Sequence, residues 1–323
     1  MKRILILFFC FCLLLPAVSG CGAAAPRENG KLRVIATIFP LYDWLREIAG
    51  DRAEITLLLN NGVDLHSYQP RTKDIAEIRA CDLFVYVGGE SDGWAERVLD
   101  FAGEKKPEAL PLLDALGDAA KEEETVEGMQ SPGEEEEEEA EYDEHVWLSL
   151  RNAGTLCRVL SDRLAALDPE GASLYRANAD AYTEKLRELD GAYRQAAADA
   201  QKKTLLFADR FPFRYLTDDY GLSYYAAFSG CSAETEASFD TVVFLAKKTD
   251  ELGLSAILQI ETSDGSLART VRENTRAKDQ KILTLNSLQS VTAAQAAEGA
   301  TYLSLMGENL EVLKAALQSK EAA

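Results

Sequence analysis

The sequence predicts an α/β fold of two lobes, each a four-stranded parallel sheet flanked by helices, which one long helix joins. Three observations support this prediction. The chain has 323 residues, of which 47% are hydrophobic and 27% charged, so it is long enough for two globular domains with cores. Strand-like and helix-like segments alternate along it, which favours parallel sheets covered on both faces. The alternation stops at a long helical stretch and then restarts.

The first lobe is predicted to occupy residues 31–168. Segment 31–39 is apolar and rich in β-branched residues, which is typical of a buried strand. Pro40 then begins a helix that Gly50 ends. By the same criteria, further strands are predicted at 53–59, 83–87 and 109–112, and further helices at 72–80 and 94–101.

A helical pattern fills residues 149–200, with a break at Asp168 and Pro169. As a single helix, the part at 169–200 would reach about 45 Å, which is long enough to link two lobes. The second lobe follows at 201–323. Its strands are predicted at 204–207, 224–228, 256–260 and 282–285, and its helices at 213–220, 239–252, 267–274 and 293–317.

The first twenty residues have the pattern of a secretory signal peptide. A basic start precedes an unbroken apolar run at 4–15, and small residues follow it. The exit at 18–21 (VSGC) resembles the lipobox of bacterial lipoproteins, in which the signal is cleaved before a cysteine that is then acylated. We therefore predict lipidation at Cys21, a tether over 21–30, and an extracytoplasmic protein anchored to the bacterial membrane by lipid.

The charge of the chain is strongly acidic and unevenly spread. Lys and Arg number 34 against 54 Asp and Glu, which gives a net charge of −20. Such a chain repels nucleic acid, so a nucleic-acid partner is excluded. Residues 121–144 alone hold 13 acids and one Lys, including six consecutive Glu. This tract lacks the apolar surface needed to order itself and is predicted to be a disordered loop.

The chain has only two histidines, His66 and His145, which excludes an enzyme that needs several. Both are predicted to lie in loops of the first lobe that could converge. Ligands of open parallel sheets bind beyond the carboxyl ends of the strands, and four carboxylates fall near such ends: Asp64, Asp209, Glu261 and Asp264. Imidazoles combined with carboxylates suit a divalent first-row metal such as zinc or manganese.

Cysteine chemistry is not predicted to contribute to the function. The three cysteines of the mature chain, Cys81, Cys157 and Cys231, show no metal-site spacing and allow at most one disulfide. Cys81 and Cys157 stand among apolar residues, where a small buried hydrophobic residue is the usual role.

Several segments resemble the zinc- and manganese-specific solute-binding proteins of bacterial ABC importers. They are 33–44 (RVIATIFPLYDW), 62–70 (GVDLHSYQP), 82–88 (DLFVYVG), 142–153 (YDEHVWLSLRNA) and the Tyr-Gly-Leu at 220–222. The resemblance covers essentially the whole mature chain. It implies two lobes bridged by a rigid helix, with the metal between them. His66 and His145 match the family's first two ligands, and Asp64 matches an additional carboxylate found in some members.

Two departures from the family concern the rest of the site. The third ligand is usually a His or Glu ten residues before the Tyr-Gly-Leu, and that position is Arg210 here. A guanidinium cannot ligate a cation, so Arg210 must turn outward or be neutralised by a carboxylate. Glu261 is then the favoured second-lobe ligand, with Asp209 and Asp264 as alternatives. The insert before the second histidine is often His-rich in zinc members, but it is Glu-rich here.

The resemblance implies a monomeric binding protein that captures one Zn²⁺ and delivers it to an ABC-type permease. The same role with Mn²⁺ is one alternative, and a metal-binding surface adhesin is another. A secreted zinc hydrolase is disfavoured, because the sequence contains no HExxH motif and no nucleophile elbow.

Overall fold

The computed structural model describes residues 30–101, 106–130, 141–232 and 236–318. The first lobe is built on a parallel sheet with the order β2-β1-β3-β4. Its strands are β1 (Leu32–Ala36), β2 (Ala53–Leu57), β3 (Leu83–Tyr86) and β4 (Glu108–Pro111). Its helices are α1 (Phe39–Ala49), α2 (Thr72–Ala80), α3 (Gly93–Phe101) and α4 (Leu112–Leu116). Of these elements, α4 was not predicted from the sequence.

Two long helices follow, α5 (Leu150–Leu167) and α6 (Ala172–Asp199), separated by a short 3₁₀ turn at Pro169–Gly171. Helix α6 packs against both α5 and α1, and also against the last helix of the second lobe. The Tyr193 hydroxyl donates to the Met306 carbonyl at 2.6 Å, which ties the end of α6 to that lobe. One helix therefore contacts both lobes, as the sequence predicted.

The second lobe repeats the architecture of the first, with a parallel sheet in the order β6-β5-β7-β8. Its strands are β5 (Thr204–Phe211), β6 (Ser223–Ser229), β7 (Ala256–Ile260) and β8 (Lys281–Leu285). Its helices are α7 (Arg214–Tyr220), α8 (Phe239–Leu252), α9 (Ser266–Asn274), α10 (Ala293–Ala297) and α11 (Tyr302–Leu317). The predicted fold class, with two four-stranded parallel sheets and a long helix between the lobes, is confirmed.

Two predictions in this lobe are wrong by more than one residue, and each has a physical reason. The single helix expected at 293–317 is two helices, because Gly299 adopts a φ of 104° and Thr301 then caps a new helix. Strand β5 continues to Phe211 through an irregularity between Phe207 and Arg210, so Asp209 lies inside the strand and not after it.

The described parts of the acidic tract are ordered. Glu122 and Tyr142 form an antiparallel bridge, and the Gln130 N–H donates to the Ala227 carbonyl at 2.9 Å. The prediction of a disordered loop over 121–144 is therefore wrong for 121–130 and 141–144, because backbone pairing orders these flanks. The rest of the tract lies outside the described residues.

The predicted signal peptide, the tether up to residue 29 and the lipidation site Cys21 also lie outside the described residues. Within the described ranges, every helix falls short of the length or the apolar character that crossing a bilayer requires.

Candidate metal centre

His66 lies in a short 3₁₀ turn, Leu65–Ser67, which follows β2. Asp64 caps this turn by accepting a hydrogen bond from the His66 backbone N–H at 3.1 Å. The imidazole is nearly buried, and its Nδ1 lies 2.6 Å from the Ser91 hydroxyl. With Nδ1 engaged in this way, Nε2 is the nitrogen that faces the interior of the site.

His145 is fully buried and immediately precedes the 3₁₀ turn Val146–Leu148. Its Nδ1 lies 3.0 Å from the Asp143 carboxylate, which also accepts the His145 backbone N–H at 2.8 Å. A carboxylate on one ring nitrogen orients the imidazole and makes the other nitrogen a better metal ligand. The neighbouring Trp147 anchors the segment to the second lobe by donating to the Ser287 carbonyl at 2.7 Å.

The two imidazoles face each other through their Nε2 atoms, which lie 3.3 Å apart. A tetrahedral zinc ion with bonds of about 2.0–2.1 Å separates two ligand nitrogens by about 3.3 Å. Both Nδ1 atoms have outward hydrogen-bond partners, so both Nε2 lone pairs can point to one cation. The pair therefore has the spacing and the orientation that a divalent metal requires.

The electrostatics of the two imidazoles differ. Burial, His145 and Arg210 together lower the pKa of His66 to about 3, so His66 is a neutral imidazole at neutral pH. Burial also disfavours the charged form of His145, but the carboxylates of Asp143, Glu144 and Glu123 together outweigh burial and raise the pKa of His145. A metal cation needs the unprotonated Nε2 of both rings, so a proton opposes metal binding more strongly at His145 than at His66.

A third potential ligand, which the sequence analysis did not select, completes the cluster. Among the described residues, metal-ligand atoms of His66, His145 and Cys231 all lie within 4.8 Å of one another. Burial, together with nearby carboxylates that include Glu123 and Glu144, raises the pKa of the Cys231 thiol. Cys81, Cys157 and Cys231 are all free thiols. No spacing motif could have singled out Cys231, because its partners come from distant parts of the chain.

Asp64 and Arg210 form an ion pair between the lobes, with Nη2 and Oδ2 2.6 Å apart. The guanidinium holds the pKa of Asp64 below its usual range although burial acts in the opposite direction. Arg210 therefore does not turn outward, and a carboxylate neutralises it instead. One carboxylate oxygen of Asp64 accepts a hydrogen bond from Arg210, and the other accepts one from the His66 N–H. Asp64 is therefore not placed in the cluster as a ligand.

The other predicted carboxylates are occupied within the second lobe. Glu261 accepts hydrogen bonds from the Ser287 N–H, the Ser287 hydroxyl and the Ser290 hydroxyl. Asp209 accepts the backbone N–H groups of Arg210 and Ile260, and Asp264 accepts the Ser266 N–H at the start of α9. None of the three joins the cluster of described ligand atoms. This placement gives no support to Glu261 as the second-lobe ligand.

A cleft of about 550 Å³ borders the cluster. His66, Glu144 and Cys231 line it, together with Tyr142 and Glu90. The Glu144 side chain is only 2% exposed, and its Oε2 lies 3.8 Å from His66 Nδ1. The acidic side chains that line the cleft would attract a cation towards His66 and Cys231.

Known proteins resemble the chain over nearly its whole length. The family model of the periplasmic zinc-uptake complex component A, ZnuA, matches residues 34–316. The zinc-binding lipoprotein AdcA of Streptococcus pneumoniae is 34% identical over 325 residues, which cover 97% of this chain and 61% of AdcA. The high-affinity zinc uptake system protein ZnuA of Bacillus subtilis is 28% identical over 315 residues, which cover 96% of each protein.

A solved structure agrees with these sequence matches. The crystal structure of the Zn(II)-bound ZnuA-like domain of Streptococcus pneumoniae AdcA has a TM-score of 0.71 and 31% identity, over 89% of this chain and 99% of that domain. The chain spans about three fifths of the length of the full AdcA relative. With a family match that covers most of the described residues, the chain belongs to the ZnuA family of periplasmic zinc-uptake components.

Proposed function

We propose that this protein is an extracytoplasmic solute-binding protein, and not an enzyme, that captures Zn²⁺ and delivers it to an ABC-type permease. The observation that carries the proposal is the pair of inward-facing Nε2 atoms of His66 and His145, 3.3 Å apart. The family description and the zinc-binding names of the relatives support the same cargo.

In this function the two imidazoles bind the ion, and the groups on their Nδ1 atoms keep them oriented. Asp143 holds His145, while Ser91 holds His66. The ion would sit between the lobes, because Trp147 beside His145 is bonded to Ser287 of the second lobe. The permease would receive the ion when the lobes separate slightly around helix α6.

The test of this function is a metal titration of the purified full chain by calorimetry, followed by growth in zinc-limited medium. We expect one tight Zn²⁺ site and loss of that site in His66→Ala. Cells that depend on this protein for zinc should then fail to grow with the variant but grow with the unchanged chain. Thermal unfolding of the metal-free variant serves as the control for folding. Zn²⁺ affinity in His66→Ala equal to that of the unchanged chain would show that the imidazole pair does not bind the ion.

The same titration separates the alternatives. Tighter binding of Mn²⁺ than of Zn²⁺ would favour the manganese importer. Growth on low zinc that does not depend on the protein would favour the adhesin.

Membrane attachment is the remaining part of the proposal. The VSGC exit at 18–21 supports cleavage before Cys21 and acylation of its thiol and new amine. Mass spectrometry of the mature N-terminus should show an acylated Cys21. An unmodified Cys21 or cleavage at another position would contradict the lipid anchor.

A further inference from the structure

Cys231 stands at the same sheet edge as the position where the family resemblance implies a third ligand. Strand β6 pairs in parallel with β5, with Phe228 beside Arg210, and Cys231 follows the carboxyl end of β6 by two residues. Arg210 cannot ligate a cation. The neighbouring strand therefore presents a thiol at the edge where β5 presents the Arg210 guanidinium.

Two hydrogen bonds and one close backbone approach define the position of the turn that carries Cys231. A side chain at Gly230 would come within 3.0 Å of His145 Cε1, so a glycine permits this close approach. Glu123 accepts the Cys231 backbone N–H at 3.0 Å. Arg210 donates to the Ser232 carbonyl at 3.4 Å. The position of the thiol is thus set by the second lobe and by the acidic segment together.

A second observation, independent of the thiol, concerns a buried carboxylate that lines the same cleft. Oε2 of Glu144 is buried and has no hydrogen-bond partner among the described residues, although the side chain is only 2% exposed. Its other oxygen accepts the Ser91 N–H at 2.8 Å. A buried carboxylate oxygen without a partner is costly, and a cation in the cleft that it lines with His66 and Cys231 would offset that cost.

We propose that Cys231 supplies a thiolate as the third metal ligand, so that the site is N₂S and selects Zn²⁺ over Mn²⁺. The inference rests on the proposed function, in which His66 and His145 hold a divalent metal. As the sulfur–metal bond forms, the S–H bond breaks and its proton leaves to water. Thiolate is a soft ligand that suits zinc, whereas manganese prefers carboxylate, carbonyl and water oxygens. The sulfur thus takes the place of the oxygen ligand expected from Glu261.

Titration of the full chain with Co²⁺, a spectroscopic substitute for zinc, tests this inference. A thiolate bound to Co²⁺ gives an intense charge-transfer band in the near ultraviolet, which nitrogen and oxygen ligands do not give. We expect this band in the unchanged protein and in the matched control Cys81→Ser, and its loss in Cys231→Ser. The Cys231→Ser variant should also lose more than about 100-fold in Zn²⁺ affinity and much less in Mn²⁺ affinity.

The outcomes separate this inference from the proposed function. If the unchanged protein binds one Zn²⁺ tightly, but the Co²⁺ complex lacks the band and Cys231→Ser keeps both affinities, the thiolate is overturned while zinc capture stands. If the unchanged protein binds neither Zn²⁺ nor Co²⁺, the proposed function and the inference both fail. A band that persists in Cys231→Ser would assign the sulfur to another cysteine and overturn the inference.

Discussion

The two lobes share one architecture but use the carboxyl edges of their sheets differently. In the first lobe, His66 and His145 are held through Nδ1, which leaves both Nε2 atoms for a ligand. In the second lobe, the carboxylates at the equivalent edge accept hydrogen bonds from neighbouring residues. Glu261 alone accepts three. A side chain of a metal-binding type at the end of a strand is therefore not sufficient to form a metal site. Its lone pairs must also be left free by the surrounding groups.

The largest expected effect is on Zn²⁺ affinity, which should depend on the histidines of the first lobe and not on Glu261 of the second. His145→Ala removes an inward-facing nitrogen from a fully buried position, and water replaces it poorly there. We expect Zn²⁺ affinity to fall by more than about 100-fold, since loss of a ligand should exceed the cost of losing an outer-shell partner. Glu261→Ala should leave the affinity within about threefold, because its carboxylate is bonded to serines. Calorimetric titration of the two variants with Zn²⁺ checks this prediction. Equal losses of Zn²⁺ affinity would show that both lobes contribute ligands of similar importance.

For the free energy of unfolding, we expect a measurable effect from the Glu261 substitution, which should hardly change metal affinity. Glu261→Ala leaves the Ser287 N–H and the Ser287 and Ser290 hydroxyls without their acceptor. Unsatisfied donors cost about 1–3 kcal/mol in total, so the free energy of unfolding should fall by that amount in urea. Glu298→Ala, at an exposed position, is the control and should change it by less than about 0.5 kcal/mol. A variant as stable as the unchanged chain would show that these three hydrogen bonds do not stabilise the second lobe.

A buried carboxylate at the junction of the lobes provides a pH test. Asp43 in α1 accepts the Tyr302 N–H of α11 at 2.8 Å, and burial raises its pKa from 3.8 to about 6. The folded state therefore holds the proton more tightly than the unfolded chain does. Asp43 should cost stability as the pH rises from about 4 to 6, on the order of 1–3 kcal/mol.

Urea unfolding of the metal-free protein at pH 4 and pH 7 measures this effect, with Asp43→Asn as the comparison. An asparagine keeps an acceptor for Tyr302 but does not titrate. The unchanged chain should therefore lose stability relative to the variant on going from pH 4 to pH 7. A constant difference between the two proteins would show that Asp43 stays ionised at the junction.

The smallest effect is expected from the run of six glutamates at 134–139. Its carboxylates attract cations through their field, an interaction that salt screens. Replacing all six by Gln should remove only weak, salt-sensitive metal binding and leave the tight site unchanged. Glu123→Gln should matter more, because Glu123 holds the Cys231 turn. Loss of the tight site in the six-residue variant would show that the run supplies a ligand.

Periodicity and end signals predicted most of the fold. Helix α8 and strand β7 have the predicted limits, because a Ser or Gly marks their ends and their apolar patterns are regular. The predicted end of β5 was wrong, because the hydropathy pattern does not reveal the strand irregularity before Arg210. Local sequence thus fixes regular elements better than it fixes irregular ones.

The candidate site was predictable only where its residues are rare or carry a motif. The two histidines of the chain do meet, as expected from loops at one sheet edge. Cys231 was missed because its proximity depends on the pairing of β6 with β5 and on the close approach of Gly230 to His145. A glycine followed by a cysteine directly after a strand was the one signal available. Hydrogen bonds to Glu261 from serines 26 and 29 positions away could not be read from spacing.

Whether one metal ion binds between the inward-facing imidazoles of the first lobe can be seen directly by crystallography. Crystals of the full chain grown with Zn²⁺ would give an anomalous difference map at the zinc absorption edge. We expect one strong peak within about 2.0–2.1 Å of Nε2 of both His66 and His145. A peak coordinated by Glu261 and Asp264, or no peak near the two imidazoles, would contradict this expectation.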